Sequence, residues 1–104
     1  MLLFSTIVAN AQRHDITEHF TDWYFRKVLF ELRIVADSTR IYEDEVANEA
    51  VLDVENHNFK YSIQRLDGIE YFRELRTLIC PSHHLDSLDL SHNHKLEEVY
   101  CQYN

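Results

Sequence analysis

The sequence predicts an α+β fold, in which a helical cap at the amino end is followed by a short solenoid of stacked coils with short parallel strands. Three observations lead to this expectation: a 21-residue repeat in the last third of the chain, helical spacing of apolar residues before it, and short β-branched runs between turn residues. We expect a signal peptide remnant at 1–11, the helical cap at 12–50 and the repeats at 51–104.

The repeat occupies the stretch from Leu75 to Asn104. When this stretch is shifted along itself by one period, four pairs of positions coincide, which are Leu75 on Leu96, Leu78 on Val99, Cys80 on Cys101 and His83 on Asn104. A further copy lies between them and consists of Leu85, Leu88, Leu90 and Asn93. Such a period is typical of stacked coils, because each unit buries its apolar face against its neighbour.

Alternation along the strands predicts which repeat residues face the core. The expected inward pairs are Leu78 and Cys80, Leu88 and Leu90, and Val99 and Cys101. Each coil should therefore contain two short extended segments, one on each side. Asn93 and Asn104 follow these segments where the chain must turn. A buried Asn there can bond the backbone groups of the turn and of the adjacent coil, which predicts a structural role.

The cap has the spacing of two helices. Phe25, Val28, Leu29 and Leu32 fall at i, i+3, i+4 and i+7, so they predict one amphipathic helix whose cap is Thr21 or Asp22. Three aromatic residues are expected to add bulk around this apolar stripe, namely Trp23, Tyr24 and Phe30. A short acidic helix is predicted at 42–50, with three residues facing inward, namely Val46, Ala47 and Ala50.

Two short elements connect the cap to the repeats. The run from Val51 to Val54 predicts a strand with Leu52 and Val54 inward, and it begins a divergent first coil. The irregular piece Phe59–Gln64 is expected to be a loop. Three-residue spacing across Asp67-Gly68 then predicts a single helical or 3₁₀ turn, from the apolar residues Leu66, Ile69, Phe72 and Leu75.

The amino end has the pattern of a secretory signal. An apolar run from Leu2 to Val8 is followed by Ala9-Asn10-Ala11, which predicts cleavage before Gln12. No basic residue precedes Arg13, so we expect the true start to lie upstream. Secretion or display at the cell surface follows from this interpretation.

Composition excludes several classes of function. The net charge of −8 argues against binding nucleic acid, whose affinity depends on Lys and Arg neutralising phosphates. One glycine rules out a Gly-rich phosphate loop, and two cysteines are too few for a disulfide framework. No apolar run is long enough to cross a bilayer, so membrane insertion is not expected.

The stretch GIEYFRELRTLICPSHHLDSLDLSHNHKLEEVYCQYN resembles the leucine-rich repeats of secreted and surface-attached bacterial proteins. It is similar to the class with a nested 21-residue period and the consensus LxxLxCxxNxLxxLDLSxNxxL. The resemblance covers Leu52 to Asn104, and FTDWYFRKVLFEL resembles the helical cap that precedes such repeats. It implies an extracellular scaffold for protein recognition or adhesion that works as a monomer, without cofactor or catalytic activity.

The chain departs from this pattern in three places. Residues 36–41 contain no Gly and one carboxylate, so the calcium loop found in many members is not carried over. His83 replaces the turn Asn, which predicts weaker hydrogen bonding in that turn. The Phe59–Gln64 loop is longer than usual. The chain also ends at a repeat Asn, so we expect further repeats beyond Asn104.

Other classes of function stay open from the sequence. Cysteines and histidines cluster between positions 80 and 101 and are compatible with a small metal-binding module, namely Cys80, His83, His84, His92, His94 and Cys101. Against zinc, both cysteines occupy core positions where a small hydrophobe is needed. Stacked coils would make the two thiols neighbours, so a disulfide is a further alternative. The chain could also be the structural cap region of a larger surface protein.

The binding surface is expected on the outward strand positions, because a solenoid presents them as one face. Ile79 and Tyr100 occupy equivalent outward positions one coil apart. Asp89, Glu97 and Glu98 add acidity, which predicts a basic surface on the partner.

Overall fold

The helices precede the three strands along the described parts of the chain. The computed structural model describes residues 13–55 and 62–104. Its elements are a 3₁₀ turn Thr17–His19, helix α1 Trp23–Glu31, helix α2 Glu43–Val46, strand β1 Val51–Asp53, a 3₁₀ turn Ile69–Tyr71, strand β2 Thr77–Ile79 and strand β3 Glu98–Tyr100. The expected signal segment, its cleavage point and the first half of the expected loop (59–61) lie outside the described residues.

The three strands form one open parallel sheet in the order β1-β2-β3. Leu52 pairs with Leu78 and Leu78 pairs with Val99, so β3 follows β2 at the period of the sequence repeat, whereas β2 follows β1 after a longer interval. The α+β class with short parallel strands is therefore confirmed. The first interval is longer because the piece between β1 and the second 3₁₀ turn contains additional residues.

Helix α1 forms where the apolar spacing predicts it. Asp22 is its N-cap, Phe25 and Leu29 are fully buried, and Val28 packs against the core. The prediction for Leu32 is wrong, because the helix ends at Glu31 and leaves Leu32 44% exposed. The chain turns away there through Arg33, whose φ of 63° is left-handed.

The aromatic residues of α1 do not surround the buried stripe as expected. Trp23, Tyr24 and Phe30 are 50%, 41% and 48% exposed. Trp23 and Phe30 are seven positions apart, so they share a helix face that lies opposite Phe25. The helix thus carries one apolar face inside the core and a second aromatic face toward solvent.

Helix α2 is shorter than predicted. The side chain of Glu45 accepts the N–H of Tyr42 at 2.9 Å, which fixes the first turn. Val46 is buried and Ala47 is half-buried, but the inward prediction for Ala50 is wrong because Ala50 is exposed. Its carbonyl oxygen accepts the N–H groups of Arg76 at 2.8 Å and Thr77 at 3.1 Å. These bonds tie the residue before β1 to the start of β2, so the chain is already extended at Ala50.

The second 3₁₀ turn is confirmed, with all of the apolar residues that predict it buried, namely Leu66, Ile69, Phe72 and Leu75. Gly68 begins this turn with φ of +105°, a region that L side chains rarely adopt. A Cβ atom at this position would lie 2.5 Å from ring carbons of Phe20. The cap therefore packs directly onto the backbone of the turn.

The cap and the strands share one continuous core. The rings of Phe20 and Phe25 lie 5.6 Å apart, and those of Phe25 and Phe72 lie 6.4 Å apart. This aromatic series extends from the cap into the turn that precedes β2. The helices are consequently part of the same folding unit as the strands.

The carboxylate of Asp22 joins these parts through four backbone donors. Its Oδ1 accepts the N–H groups of Tyr24 at 2.8 Å and Phe25 at 3.3 Å, at the start of α1. Its Oδ2 accepts those of Gln64 at 2.7 Å and Arg65 at 3.1 Å, in a distant part of the chain. One side chain therefore caps the helix and holds the following loop against it.

A second polar junction lies at the start of α2. Glu43 bonds His14 Nδ1 at 2.8 Å and forms an ion pair with Arg73. The hydrogen bond from His14 and the charge of Arg73 lower the pKa of Glu43. This carboxylate links the first described residues to the segment between the second 3₁₀ turn and β2.

We predict that Asp22→Ala lowers the free energy of unfolding by about 2–4 kcal/mol, because it removes a helix cap and two charge-assisted bonds to the distant loop. Asp22→Asn should lower the free energy of unfolding by about half as much. Asn is also a good N-cap, but it has only one side-chain oxygen to accept the two sets of N–H groups. Denaturant unfolding measures both. The control is Asp89→Ala, whose carboxylate bonds Ser91 in its own turn, with a loss below about 1 kcal/mol. Equal losses for Asp22→Ala and the control would contradict the bridging role.

We also predict a pH dependence from Glu43. Because its folded pKa is lowered, its stabilising contribution is present above the ordinary Glu pKa of about 4.3 and is lost as the pH falls through the folded pKa. The stability difference between wild type and Glu43→Gln should therefore shrink between neutral pH and about pH 3. Urea unfolding across this range measures it. His14→Ala removes the largest cause of the shift and should weaken the dependence, whereas a difference that is constant with pH would contradict this account.

Candidate binding surface

The outward face of the sheet presents two rows of side chains across the three strands. The register aligns Val51, Thr77 and Glu98 in one row. It aligns Asp53, Ile79 and Tyr100 in the other. The residues between them, such as Leu52 and Leu78, are fully buried, so the alternation places these two rows on the opposite side of the sheet from the core.

Ile79 and Tyr100 are direct cross-strand partners, as their equivalent positions predict. Ile79 is half-buried, and Tyr100 is 46% exposed. The hydroxyl of Tyr100 donates to the carboxylate of Glu98, and this bond together with the charge of Glu98 raises the pKa of Tyr100. The aromatic ring is therefore held on the sheet face beside an acidic group.

The other two acidic candidates are not free charges on this face. Glu97 precedes β3 and forms an ion pair with Arg76 at 3.1 Å. Asp89 lies outside the strands, where its carboxylate accepts the N–H of Ser91 at 2.9 Å, and hydrogen bonding to Ser91 lowers its pKa. It lines a groove with Ser87 and His92. The structure therefore brings together Ile79, Tyr100 and Glu98, but not Asp89.

The sequence reasoning missed the contribution of β1 to the same face. Val51 is 53% exposed and Asp53 is exposed, both on the outward side of the sheet. The alternation that predicts Leu52 and Val54 as inward also marks Val51 and Asp53 as outward. The missing information was the register, since the interval from β1 to β2 is longer than the period of the sequence repeat.

The remaining repeat residues have unequal burial. Leu75, Leu78 and Cys80 are fully buried, while four others pack against the core with partial exposure, namely Leu85, Leu88, Leu90 and Leu96. The predicted extended segment at Leu88–Leu90 is not a strand. Val99 pairs with Leu78 as expected, but Val99 and Cys101 are exposed, so the prediction that they lie in the core is wrong. Among the described residues, no further coil packs beside β3 to cover them.

The two turn asparagines bond backbone carbonyls as predicted. Asn93 is buried, and its Nδ2 donates to the carbonyl of Ile69 at 2.9 Å and that of Phe72 at 3.2 Å. Asn104 Nδ2 donates to the carbonyl of Cys80 at 2.8 Å and that of Cys101 at 3.0 Å. Each side chain therefore reaches a carbonyl in the preceding turn, which ties one turn to the one before it.

His83 keeps the bonds of the turn Asn to neighbouring segments but not those within its own turn. His83 is buried, its Nδ1 accepts the N–H of Ile63 at 3.0 Å, and its Nε2–H donates to the carbonyl of Val54. Val54 directly follows β1, and Cys80 directly follows β2. The bond from His83 to the Val54 carbonyl is therefore equivalent to the bond from Asn104 to the Cys80 carbonyl. The imidazole also accepts an N–H from the adjacent loop, as Asn104 Oδ1 does from Leu85 at 3.3 Å. His83 therefore makes the bonds to neighbouring segments that Asn104 makes one interval later, whereas Asn104 also donates to the carbonyl of Cys101 in its own turn.

The cysteines and histidines do not converge on one centre. Within the described parts of the chain, no group of three or more potential ligands is placed to hold a metal ion. Cys80 is buried and Cys101 exposed, and both are free thiols. Burial, with a smaller effect of Cys101, raises the pKa of Cys80 to about 11, which keeps the thiol protonated and unreactive at neutral pH.

Comparisons with known proteins place the chain in no family. No family profile matches it, and no curated protein matches its sequence. Among residues 13–55 and 62–104, no helix has the length and apolar character needed to cross a membrane, in agreement with the absence of a spanning run in the sequence.

We predict that His83→Leu destabilises the protein by about 2–4 kcal/mol, because it leaves the N–H of Ile63 and the carbonyl of Val54 buried without their partner. His83→Asn should cost less, since a shorter side chain can still bond one of the two groups. Denaturant unfolding gives the stabilities, and hydrogen exchange of the Ile63 amide reports the local bond. The control is His84→Leu at the exposed neighbouring position, with an expected change within about 0.5 kcal/mol. Equal stabilities for the two leucine variants would show that the ring does not bridge the turn.

Proposed function

We propose that the chain is a non-catalytic extracellular scaffold of the leucine-rich-repeat kind, which recognises another protein through the outward face of its sheet. The observation that carries the proposal is the row formed by Asp53, Ile79 and Tyr100 across all three strands. It combines an aromatic ring and a branched aliphatic side chain with acidic groups at its edges. Such a combination is typical of the contact area of protein interfaces.

Support for repeated, stacked coils comes from register and from the turns. Strands β2 and β3 are in register at the 21-residue period of the sequence repeat. His83 and Asn104 make equivalent bonds to the turn before them. These contacts are of the kind that holds successive coils of a solenoid in register, because each unit depends on its neighbour.

The charge of the face defines the chemistry of the partner. Asp53 and Glu98 are acidic and exposed, and Glu97 is already paired with Arg76. A partner with an apolar centre and a basic rim would be complementary to this surface. The scaffold acts outside the cell or at its surface, as a monomer and without a cofactor.

A second candidate function is that of a structural cap for a larger surface protein. The aromatic packing of Phe20 and Phe25 onto Gly68 and Phe72 favours it, because the cap covers the core beside the first coil. The two functions differ in whether the sheet face itself makes contact with a partner.

A photo-crosslinking amino acid at position 100 tests the proposal. We expect it to form a discrete adduct when the protein is mixed with secreted and surface proteins of its native environment, and excess wild-type protein should compete. The matched control carries the same amino acid at Phe30, which is 48% exposed against 46% for Tyr100 but lies on the cap. Ile79→Ala should weaken the position-100 adduct about tenfold, as expected for a central contact, and added salt should weaken it further. The absence of an adduct, or equal adducts from both positions, would overturn sheet-face recognition.

A further inference from the structure

A groove on the cap lies between the first turn of α1 and the chain that follows the first coil. Its volume is about 330 Å³, close to the lower end of the range for small-molecule sites. None of its lining residues belongs to the sheet, and they are Thr21, Asp22, Trp23, Tyr24, Ser62, Gln64 and Arg65. The groove is therefore separate from the surface assigned to protein recognition.

Two aromatic side chains line the groove. Trp23 is 50% exposed and Tyr24 is 41% exposed, although both are among the largest side chains. Trp23 is also the single tryptophan of the chain. A half-exposed indole lacks part of the stabilisation that burial would give. A ligand bound in the groove would cover this exposed surface.

Polar side chains also line the groove, and Asp67 holds two of them, Thr21 and Arg65. This carboxylate accepts the Nε–H of Arg65 at 2.7 Å and the hydroxyl of Thr21 at 2.8 Å. The guanidinium carries further N–H donors in the same plane, and the exposed amide of Gln64 adds a donor and an acceptor. The Arg65 guanidinium is therefore fixed in orientation before any ligand arrives.

The charges at the groove favour a neutral ligand. Asp22 already accepts four backbone N–H groups, so it has little capacity left to attract a cation. Arg65 is paired with Asp67, which offsets its attraction for an anion. A ligand suited to this site is therefore uncharged, with an apolar face for the rings and hydroxyl groups along its edge.

We propose that this groove binds a pyranose unit of a neutral oligosaccharide. The C–H face of a pyranose with equatorial substituents would stack on Trp23, with Tyr24 contacting its edge. Its hydroxyls would bond the side chains of Gln64 and Arg65, which also line the groove. Asp22 is a positioning residue here, because its bonds to the backbone of Tyr24 and Gln64 hold together the two segments that line the groove. The site is independent of the proposed function of the sheet face.

The single tryptophan makes the test direct. Titration of the full chain with cellotetraose and with chitotetraose should change the fluorescence of Trp23 in a saturable way for at least one of them. We expect a dissociation constant on the order of 1 mM or tighter, as is reasonable for a small open site. The absence of a saturable change with either oligosaccharide would overturn the proposal.

Matched variants locate the site by calorimetry with the oligosaccharide that binds. Trp23→Ala should weaken binding at least about tenfold and Gln64→Ala about threefold or more, through lost stacking and a lost hydrogen bond. Phe30→Ala is the control, since Phe30 is equally exposed on the same helix but does not line the groove. Should Trp23→Ala fail to fold, Gln64→Ala still decides, because its side chain is exposed. If Phe30→Ala and Gln64→Ala weakened oligosaccharide binding equally, the assignment of the site to this groove would be overturned.

Discussion

The fold depends on one carboxylate that satisfies backbone groups in two distant parts of the chain. Asp22 caps α1 with one oxygen and holds Gln64 and Arg65 with the other. Helix α1 is a short helix, of a length at which most of the stability comes from tertiary packing. Because Asp22 fixes both its start and its neighbour, Phe25 is directed toward Phe72 and the cap joins the core of the first coil.

The sheet is stabilised in a similar way by polar side chains at its turns. Each strand is very short, so the ladders alone contain few hydrogen bonds. His83, Asn93 and Asn104 supply further bonds from one turn to the preceding one. Because these bonds help to keep the register, it does not depend on the outward side chains of the strands. Those side chains can therefore vary in chemistry.

Much of the local structure could be predicted because it depends on short-range patterns. The alternation around Leu52 and Leu78 predicts the strands, and the cap at Asp22 follows from its position before an apolar stripe. The contact between Asp22 and Gln64 joins distant parts of the chain and has no signal in a single sequence. The same holds for His83, whose bonds depend on where Val54 and Ile63 lie, and for Asp89, whose distance from the strand face depends on the path of the coil.

Gly68 limits how the parts of this protein can be exchanged. It is the one glycine of the chain, and the ring of Phe20 fills the space that a side chain would occupy there. The segment that carries Phe20 and the turn that begins at Gly68 therefore fit each other as a matched pair. The cap could be joined to a different set of strands only if the turn before them has glycine at the corresponding position, or if a smaller residue takes the place of the phenylalanine. Positions 20 and 68 should consequently change together across related chains.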